Sequence, residues 1–207
     1  MTHRPLRLGT RRSPLAMAQA QEARDRLCAA HPGIAVEIVP VLASGDKIQD
    51  RPLAEIGGKA LWTKELDGWL LGGEIDFAVH SAKDVETLRP ASLAIAAVLP
   101  RADVRDVLVL RQAQDERGLV GLEALPPGAR IGTSAPRRAA QALHFRPDCQ
   151  IVSFRGNVAT RLGKLEAGEA DATLLAAAGL ERLGQSDLGV ALDPQTWLPA
   201  PGQGCIA

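Results

Sequence analysis

The sequence predicts an α/β protein in two halves, each assembled from parallel βαβ units. Three observations carry that expectation. Short aliphatic or β-branched runs alternate with segments of helical spacing along the 207 residues. Apolar residues form 46% of the chain and aromatic residues 3%, which is enough for a core and makes that core aliphatic. A charged, strand-poor stretch around Pro100–Asp106 interrupts the alternation and marks a crossing between halves.

The elements follow in order. PLRLGT (5–10) reads as a strand, and Ser13-Pro14 opens a helix, because Ser caps well and Pro is tolerated at the first helical position. That helix ends near His31-Pro32-Gly33, and IAVEIVPVLA (34–43) is a β-branched strand. Residues 61–71 have helical spacing, 75–84 a buried strand running into a polar loop, and 93–99 (LAIAAVL) another strand. Beyond the crossing, 107–110, 129–134 and 150–156 read as strands, with helices opening at Pro136 and spanning 157–168. Residues 172–180 read as a buried strand passing into a helix, and 111–121 as a surface loop.

Composition excludes several classes. The 24 Lys and Arg balance the 24 Asp and Glu, which argues against a uniformly basic nucleic-acid binder or an acidic disordered tail. Few aromatics are present to stack bases. Cys28, Cys149 and Cys205 are odd in number and far apart, a poor fit to a disulfide framework or a metal site. MTHRPLRLGTRRS has no apolar signal core and no run of 18 apolar residues occurs, so a cytoplasmic protein without a membrane anchor is expected.

The balance hides an uneven distribution. Nineteen of the 24 basic residues are Arg, by codon bias or because a forked cation suits carboxylate and phosphate. Residues 130–164 hold seven basic side chains against the single acid Asp148. Several of those Arg flank strand-to-helix turns, where free N–H groups and the helix dipole also favour anions. A solvated basic helix face is the bland reading, and a small polycarboxylate or phosphorylated ligand the sharper one.

In parallel sheets, ligands bind beyond the carboxyl ends of the strands. The polar motifs sit at such ends: Thr10-Arg11-Arg12-Ser13, His80-Ser81-Ala82-Lys83-Asp84, Gly132-Thr133-Ser134 and Arg155-Gly156-Asn157. Asp84 ends an apolar strand among cations, where it caps a turn or meets a cationic group on a ligand. His80 and Ser81 do not make a nucleophilic triad with it, since no GxSxG elbow is present. Gly57-Gly58-Lys59 lacks the P-loop pattern.

Six motifs in order carry a family resemblance: TRRSPLA (10–16), GGKALWTKEL (57–66), DFAVHSAKD (76–84), GTSAPRR (132–138), the 154–184 segment opening FRGNVATRLGKLEAG, and LPAPGQG (198–204). The chain resembles the porphobilinogen deaminase (hydroxymethylbilane synthase) family over its whole length. The resemblance implies a transferase of tetrapyrrole and haem biosynthesis, joining four porphobilinogen units head to tail with loss of ammonia to give hydroxymethylbilane. It also implies two domains of the type-II periplasmic-binding-protein-like kind with a cleft between them. Domain 1 is expected over 1–99 with a returning strand at 200–207, and domain 2 over 100–199.

Position by position, the resemblance makes Asp84 the catalytic carboxylate. It gives Arg11, Ser13, Lys83, Thr133, Arg137, Arg138, Arg155 and Arg161 to the carboxylates of substrate and cofactor. Lys59, Ser134, Gly156, Asn157, Ala176 and Gln203 complete the implied binding set. Trp62 stands where the family has Phe, in an implied mobile loop with Lys59, and Ala135-Pro136 replaces the usual Ser-Leu. In the family a third α+β domain holds a Cys that anchors a dipyrromethane cofactor through a thioether. That domain is expected to begin where this chain stops, so a fragment without the cofactor anchor is expected, with Cys205 a small core residue. The implied partner is porphobilinogen, with no nucleic acid or membrane, and the implied state is a monomer. The alternative is a non-catalytic two-domain module binding a small polycarboxylate or other anion.

Overall fold

A computed structural model describes residues 4–41, 63–111 and 121–207. It divides into two compact units, Met1–Ala102 with Gly204–Ala207, and Asp103–Gln203.

In the first unit, β1 (Leu6–Arg11) lies between β2 (Val36–Val41) and β3 (Phe77–Ala78) in a parallel sheet of order β2-β1-β3. Helix α1 (Pro14–Ala30) starts where Ser13 caps it, its hydroxyl accepting from the Ala16 N–H, and Pro14 fills the first turn. It buries Ala16, Gln19 and Ala20, and the two small alanines let it lie close on β1. Helix α2 (Lys64–Gly72) follows and ends at Gly73, whose φ of +76° favours glycine. Leu8, Ala20, Val79 and Ile206 form one apolar cluster, and Val41, Leu66 and Ile75 a second. Gly9 is required by packing, because a Cβ there would stand 2.3 Å from Ile75 Cδ1.

Two expectations for this unit change. The strand expected over 75–84 is only two residues long, and its polar end winds into a 3₁₀ turn at Ala82–Asp84. The 93–99 run is not a strand: Ile95 and Val98 are exposed, and only its last residue joins Ile206, the Leu99 N–H donating to that carbonyl. Apolarity marks a segment as suited to a sheet, but a ladder also needs a neighbour. The 200–207 segment contributes one antiparallel bridge, Ser81 to Ile206, rather than a strand.

The second unit holds β4 (Asp106–Leu110), β5 (Arg130–Gly132), α3 (Pro136–Phe145), β6 (Gln150–Val152), α4 (Val158–Glu166), β7 (Ala172–Ala176), α5 (Ala177–Arg182) and β8 (Val190–Ala191). The sheet order is β6-β5-β7-β4-β8. Both faces are covered. Leu108, Ile131, Ala142 and Leu174 pack on one side with Trp197, and Val107, Val109, Phe154, Leu165 and Leu175 on the other. A fully buried leucine such as Leu108 or Leu174 contributes about 1.5–3 kcal/mol.

The all-parallel expectation fails at β4. It runs antiparallel to both β7 and β8, while β5, β6 and β7 are mutually parallel. A strand buried on both faces shows no alternation, so VLVL carries no sign of its direction. The consequence is geometric. Asp106, the first residue of β4, pairs with Ala176 at the carboxyl end of β7. The residues 112–120, expected as a surface loop, lie outside those described.

Candidate active site

In the first unit, Gly9 lies opposite Ala78 in parallel register, so the continuations of β1 and β3 emerge at one edge of the sheet. Arg11 ends β1 and Ser13 follows it, and His80 through Asp84 follow β3. The Asp84 turn is held from several sides. The Asp84 N–H donates to Ser81 O at 2.9 Å and the Ala82 N–H to Cys205 O at 3.0 Å. His80 and Ala207 exchange backbone bonds of 2.8 and 2.9 Å. The buried Gln19 of α1 donates to the Ser81 hydroxyl at 2.8 Å, which places that hydroxyl in a structural bond. Asp84 itself, with Lys83, is half-buried.

His80 reports the field at this edge. Burial pushes its pKa below the ordinary value, the Asp67 and Asp84 carboxylates oppose that, and the Arg89 and Arg11 cations reinforce it. Its Nε2 is buried without a hydrogen-bond partner among the described residues. Sequence reasoning missed the clamp behind this edge. Arg89 grips Asp67 through both forks at 3.0 and 2.7 Å and donates to Glu86 at 2.8 Å. Thr63 also donates to Glu86. Burial pushes the Glu86 carboxyl up, but the bonds from Arg89, its own backbone and Thr63 hold it below the usual range. This network ties the segment after Asp84 to the start of α2. Glu86 is only three residues from Arg89, but Asp67 is 22 residues away on α2, a separation that leaves no local pattern, so spacing could not reveal the clamp.

In the second unit, the parallel order β6-β5-β7 brings three strand ends to one edge. Thr133 and Ser134 follow β5, and the buried Thr133 hydroxyl accepts from the Ala135 N–H at 3.2 Å as α3 begins. Arg155, Gly156 and Asn157 follow β6. Gly156 has φ +103°, and a Cβ there would stand 2.6 Å from Thr160 Cγ2. Asn157 caps α4, accepting from the Thr160 N–H at 2.9 Å and its hydroxyl at 3.0 Å. Arg161 Nε donates to Gly156 O at 3.0 Å, and Ala176 leads from β7 into α5. Arg155 is buried and Arg161 half-buried at this edge. Lys59 and Trp62 lie outside the described residues.

Asp106 is the functional-edge residue that sequence reasoning passed over. It is fully buried and takes four donors. Oδ1 accepts from Arg138 Nη2 at 2.7 Å and Gln203 Nε2 at 2.9 Å. Oδ2 accepts from Arg137 Nη2 at 2.7 Å and Trp197 Nε1 at 2.9 Å. Burial pushes its carboxyl up, but the charge and hydrogen bond of Arg138, then Trp197 and Arg137, hold it well below the usual carboxylate range. The signal available in sequence was an acid opening an apolar strand.

The basic segment therefore reads differently in space. Arg130 faces Asp171, Arg146 grips Asp148, Lys164 lies 3.8 Å from Glu169, and Arg137 with Arg138 share Asp106. Three of those acids come from outside 130–164. Arg138, expected to reach a ligand, is 5% exposed, with Nη1 on Leu174 O at 2.8 Å and Nη2 on Asp106; so placed, it anchors α3 on the sheet. Gln203 is likewise buried, donating to Val104 O at 2.7 Å as well as to Asp106. Arg137 is a quarter exposed at the start of α3.

No helix among the described residues is long and apolar enough to cross a membrane. The solved structure of a putative sulfonate ABC transporter component, the periplasmic sulfonate-binding protein SsuA from Methylobacillus flagellatus KT, is similar in fold. It matches 100% of this chain and 62% of its own at a TM-score of 0.50 and 17% identity. The fold is thus that of the type-II periplasmic-binding-protein-like proteins. Relatives are similar at much higher identity. The porphobilinogen deaminase of Sphingopyxis alaskensis is 61% identical over 205 residues, covering 98% of this chain and 64% of that protein. That of Nitrobacter winogradskyi is 53% identical over 204 residues, covering 97% and 62%. The chain thus spans a little under two thirds of the length of these curated relatives. The sequence model described as porphobilinogen deaminase, dipyromethane cofactor binding domain, matches residues 6–207. With that match and those identities, this chain belongs to the porphobilinogen deaminase family.

Proposed function

We propose that the protein is a hydroxymethylbilane synthase, joining four porphobilinogen units head to tail with release of ammonia. The observation that carries this reading is Asp84. In a chain of this family, it is a half-buried carboxylate at the carboxyl end of β3, where Arg11 and its own field meet on His80. In each coupling, the aminomethyl C–N bond of porphobilinogen breaks and nitrogen leaves as ammonia. The freed methylene bonds to the unsubstituted α-carbon of another pyrrole, whose proton departs. The pyrroles are cationic during that exchange. A fixed carboxylate near the ring N–H lowers the energy of that charge and holds or moves the proton.

Each pyrrole carries an acetate and a propionate, and the edge of the second unit suits such groups. Arg137 and Arg161 stand there with the N-termini of α3 and α4, whose dipoles favour anions, and the buried Arg155 adds its charge. The same donors fit a dipyrromethane cofactor, which when bound supplies the pyrrole terminus that is extended. Thr133, Ser134 and the backbone of Gly156 and Asn157 line that edge, while Arg11, Ser13 and Lys83 serve the edge of the first unit.

Asp84→Asn in the full chain tests this. Porphobilinogen consumption falls about 10²–10⁴-fold, the scale of one acid–base group, while the circular-dichroism melt is unchanged. Near-normal consumption by that variant sinks the assigned role. A wild-type protein that binds small carboxylates and consumes no porphobilinogen favours the binding-module reading instead.

A further inference from the structure

We propose that Asp106 is a positioning residue, which aims the Arg137 guanidinium at the ligand-facing edge of the second unit. The inference rests on the function proposed above. Its basis is the division of labour between the two carboxylate oxygens. Oδ1 binds the buried Arg138 and Gln203, and both interactions lie inside the unit. Oδ2 binds Arg137, the more exposed arginine of the pair, and shares it with the indole N–H of Trp197.

Three features make this more than a buried ion pair. First, β4 runs antiparallel, so Asp106 pairs with Ala176 and stands at the edge where β7 hands over to α5. A parallel β4 would have put it at the opposite end of the sheet. Second, Arg137 is held at two points, Nη2 on Asp106 and Nη1 on Leu198 O, which fixes the plane of its fork. The remaining exposed edge of that fork faces one direction before any ligand arrives, so less freedom is lost on binding. Third, Oδ2 has no donor role to offer. Both oxygens accept two donors each, so an amide places an N–H against one pair whichever way it turns, and the four-donor arrangement that fixes Arg137 is lost.

The experiment is a coupling cycle in the full chain, read as KM and kcat for porphobilinogen. Asp106→Asn raises KM about tenfold, the scale of one charge-assisted bond, with kcat within about twofold, the signature of lost binding rather than lost chemistry. Arg137→Gln raises KM similarly, and the double variant is no worse than either single one, because Asp106 acts through Arg137. Trp197→Phe removes the other donor to Oδ2 and lowers the melting temperature, but leaves KM unchanged. Should Asp106→Asn fail to fold, Asp106→Glu keeps the charge, displaces Oδ2, and raises KM severalfold.

Effects of Asp106 and Arg137 that multiply overturn the proposal, as does an unchanged KM in Asp106→Asn. So does a KM rise in Trp197→Phe equal to that of Asp106→Asn, since any loosening of the cluster would then suffice. A wild-type protein of the full length of its relatives that consumes no porphobilinogen overturns the proposed function and this inference together. Turnover by wild type with an unchanged KM in the variants overturns the inference alone.

Discussion

The two units each bring one aspartate to a sheet edge, and they use it in opposite ways. Asp84 lies in a half-buried 3₁₀ turn beyond a two-residue strand, next to Lys83 in the chain. Asp106 opens a five-residue strand, fully buried, with four donors on its two oxygens. A carboxylate surrounded by fixed donors is structural, because its orientation is determined before any ligand binds. A carboxylate held by its backbone keeps its oxygens for other partners. The same residue type at the same kind of edge is thus held by its backbone in one unit and by both of its side-chain oxygens in the other.

The largest expected effects separate the two. Asp84→Asn removes turnover and leaves stability within about 0.5 kcal/mol, the usual range for a surface change. Asp106→Asn does the reverse to stability, costing about 3–5 kcal/mol because it strips a partner from a buried arginine. Urea unfolding of both variants checks the pair. Equal losses would erase the distinction.

A smaller contrast comes from the two packed glycines. A Cβ on Gly132 would meet the Phe154 ring at 2.4 Å, and one on Gly9 the Ile75 and Leu66 methyls at 2.3 and 2.8 Å. A ring in a closed core has little freedom, whereas aliphatic ends can turn. Within the roughly 1–3 kcal/mol cost of overpacking, Gly132→Ala belongs at the upper end and Gly9→Ala at the lower. Thermal melts that reverse this order would locate the stiffer packing in the first unit.

The legibility of these features in the sequence follows the range of the interactions. Helix α1 was readable from Ser13, Pro14 and the Pro32-Gly33 stop, because caps and breakers act within one turn. The polar ends of β1, β3, β5 and β6 were readable for the same reason. The direction of β4 was not, since buried strands lack alternation, nor was the absence of a strand at 93–99, since pairing is decided by a distant neighbour. Charge misled for a related cause. The excess over 130–164 is real along the chain, yet Asp106 and Asp171 approach it from other strands.

Acid titration sharpens the contrast further. His80 has its pKa lowered by burial, against the pull of the Asp67 and Asp84 carboxylates and with that of Arg89 and Arg11, from the ordinary 6.5. The unfolded chain therefore takes a proton first, and stability falls as pH drops below about 6.5. Asp106 is held below its ordinary 3.8, so its contribution is intact above that pH and is lost as pH falls further. Unfolding free energies across pH 8 to 2.5 should show two separate declines. His80→Gln flattens the upper one and Asp106→Asn reduces the lower, to which Asp76 and Asp148, also held low by their arginines, contribute; a single decline affected by both variants would mean the two sites titrate as one.

The finest comparison is between two helix caps at these edges. Asn157 accepts from the Thr160 N–H at 2.9 Å and also from its hydroxyl, while Ser13 accepts from the Ala16 N–H at 3.4 Å. The first bond has ordinary N–H···O length and the second is near the limit at which such a bond weakens. Gly156 reinforces the difference, since its positive φ delivers the chain to Asn157 in an extended conformation suited to capping. Asn157→Ala is therefore expected to cost about 1 kcal/mol and Ser13→Ala less than about 0.5 kcal/mol. If Ser13→Ala nevertheless raises KM for porphobilinogen while Asn157→Ala does not, the hydroxyl of Ser13 is held back from the cap because it serves a ligand. A serine that bonds its own helix weakly retains an oxygen that can turn outward, and the stability and binding readouts together distinguish that use from capping alone.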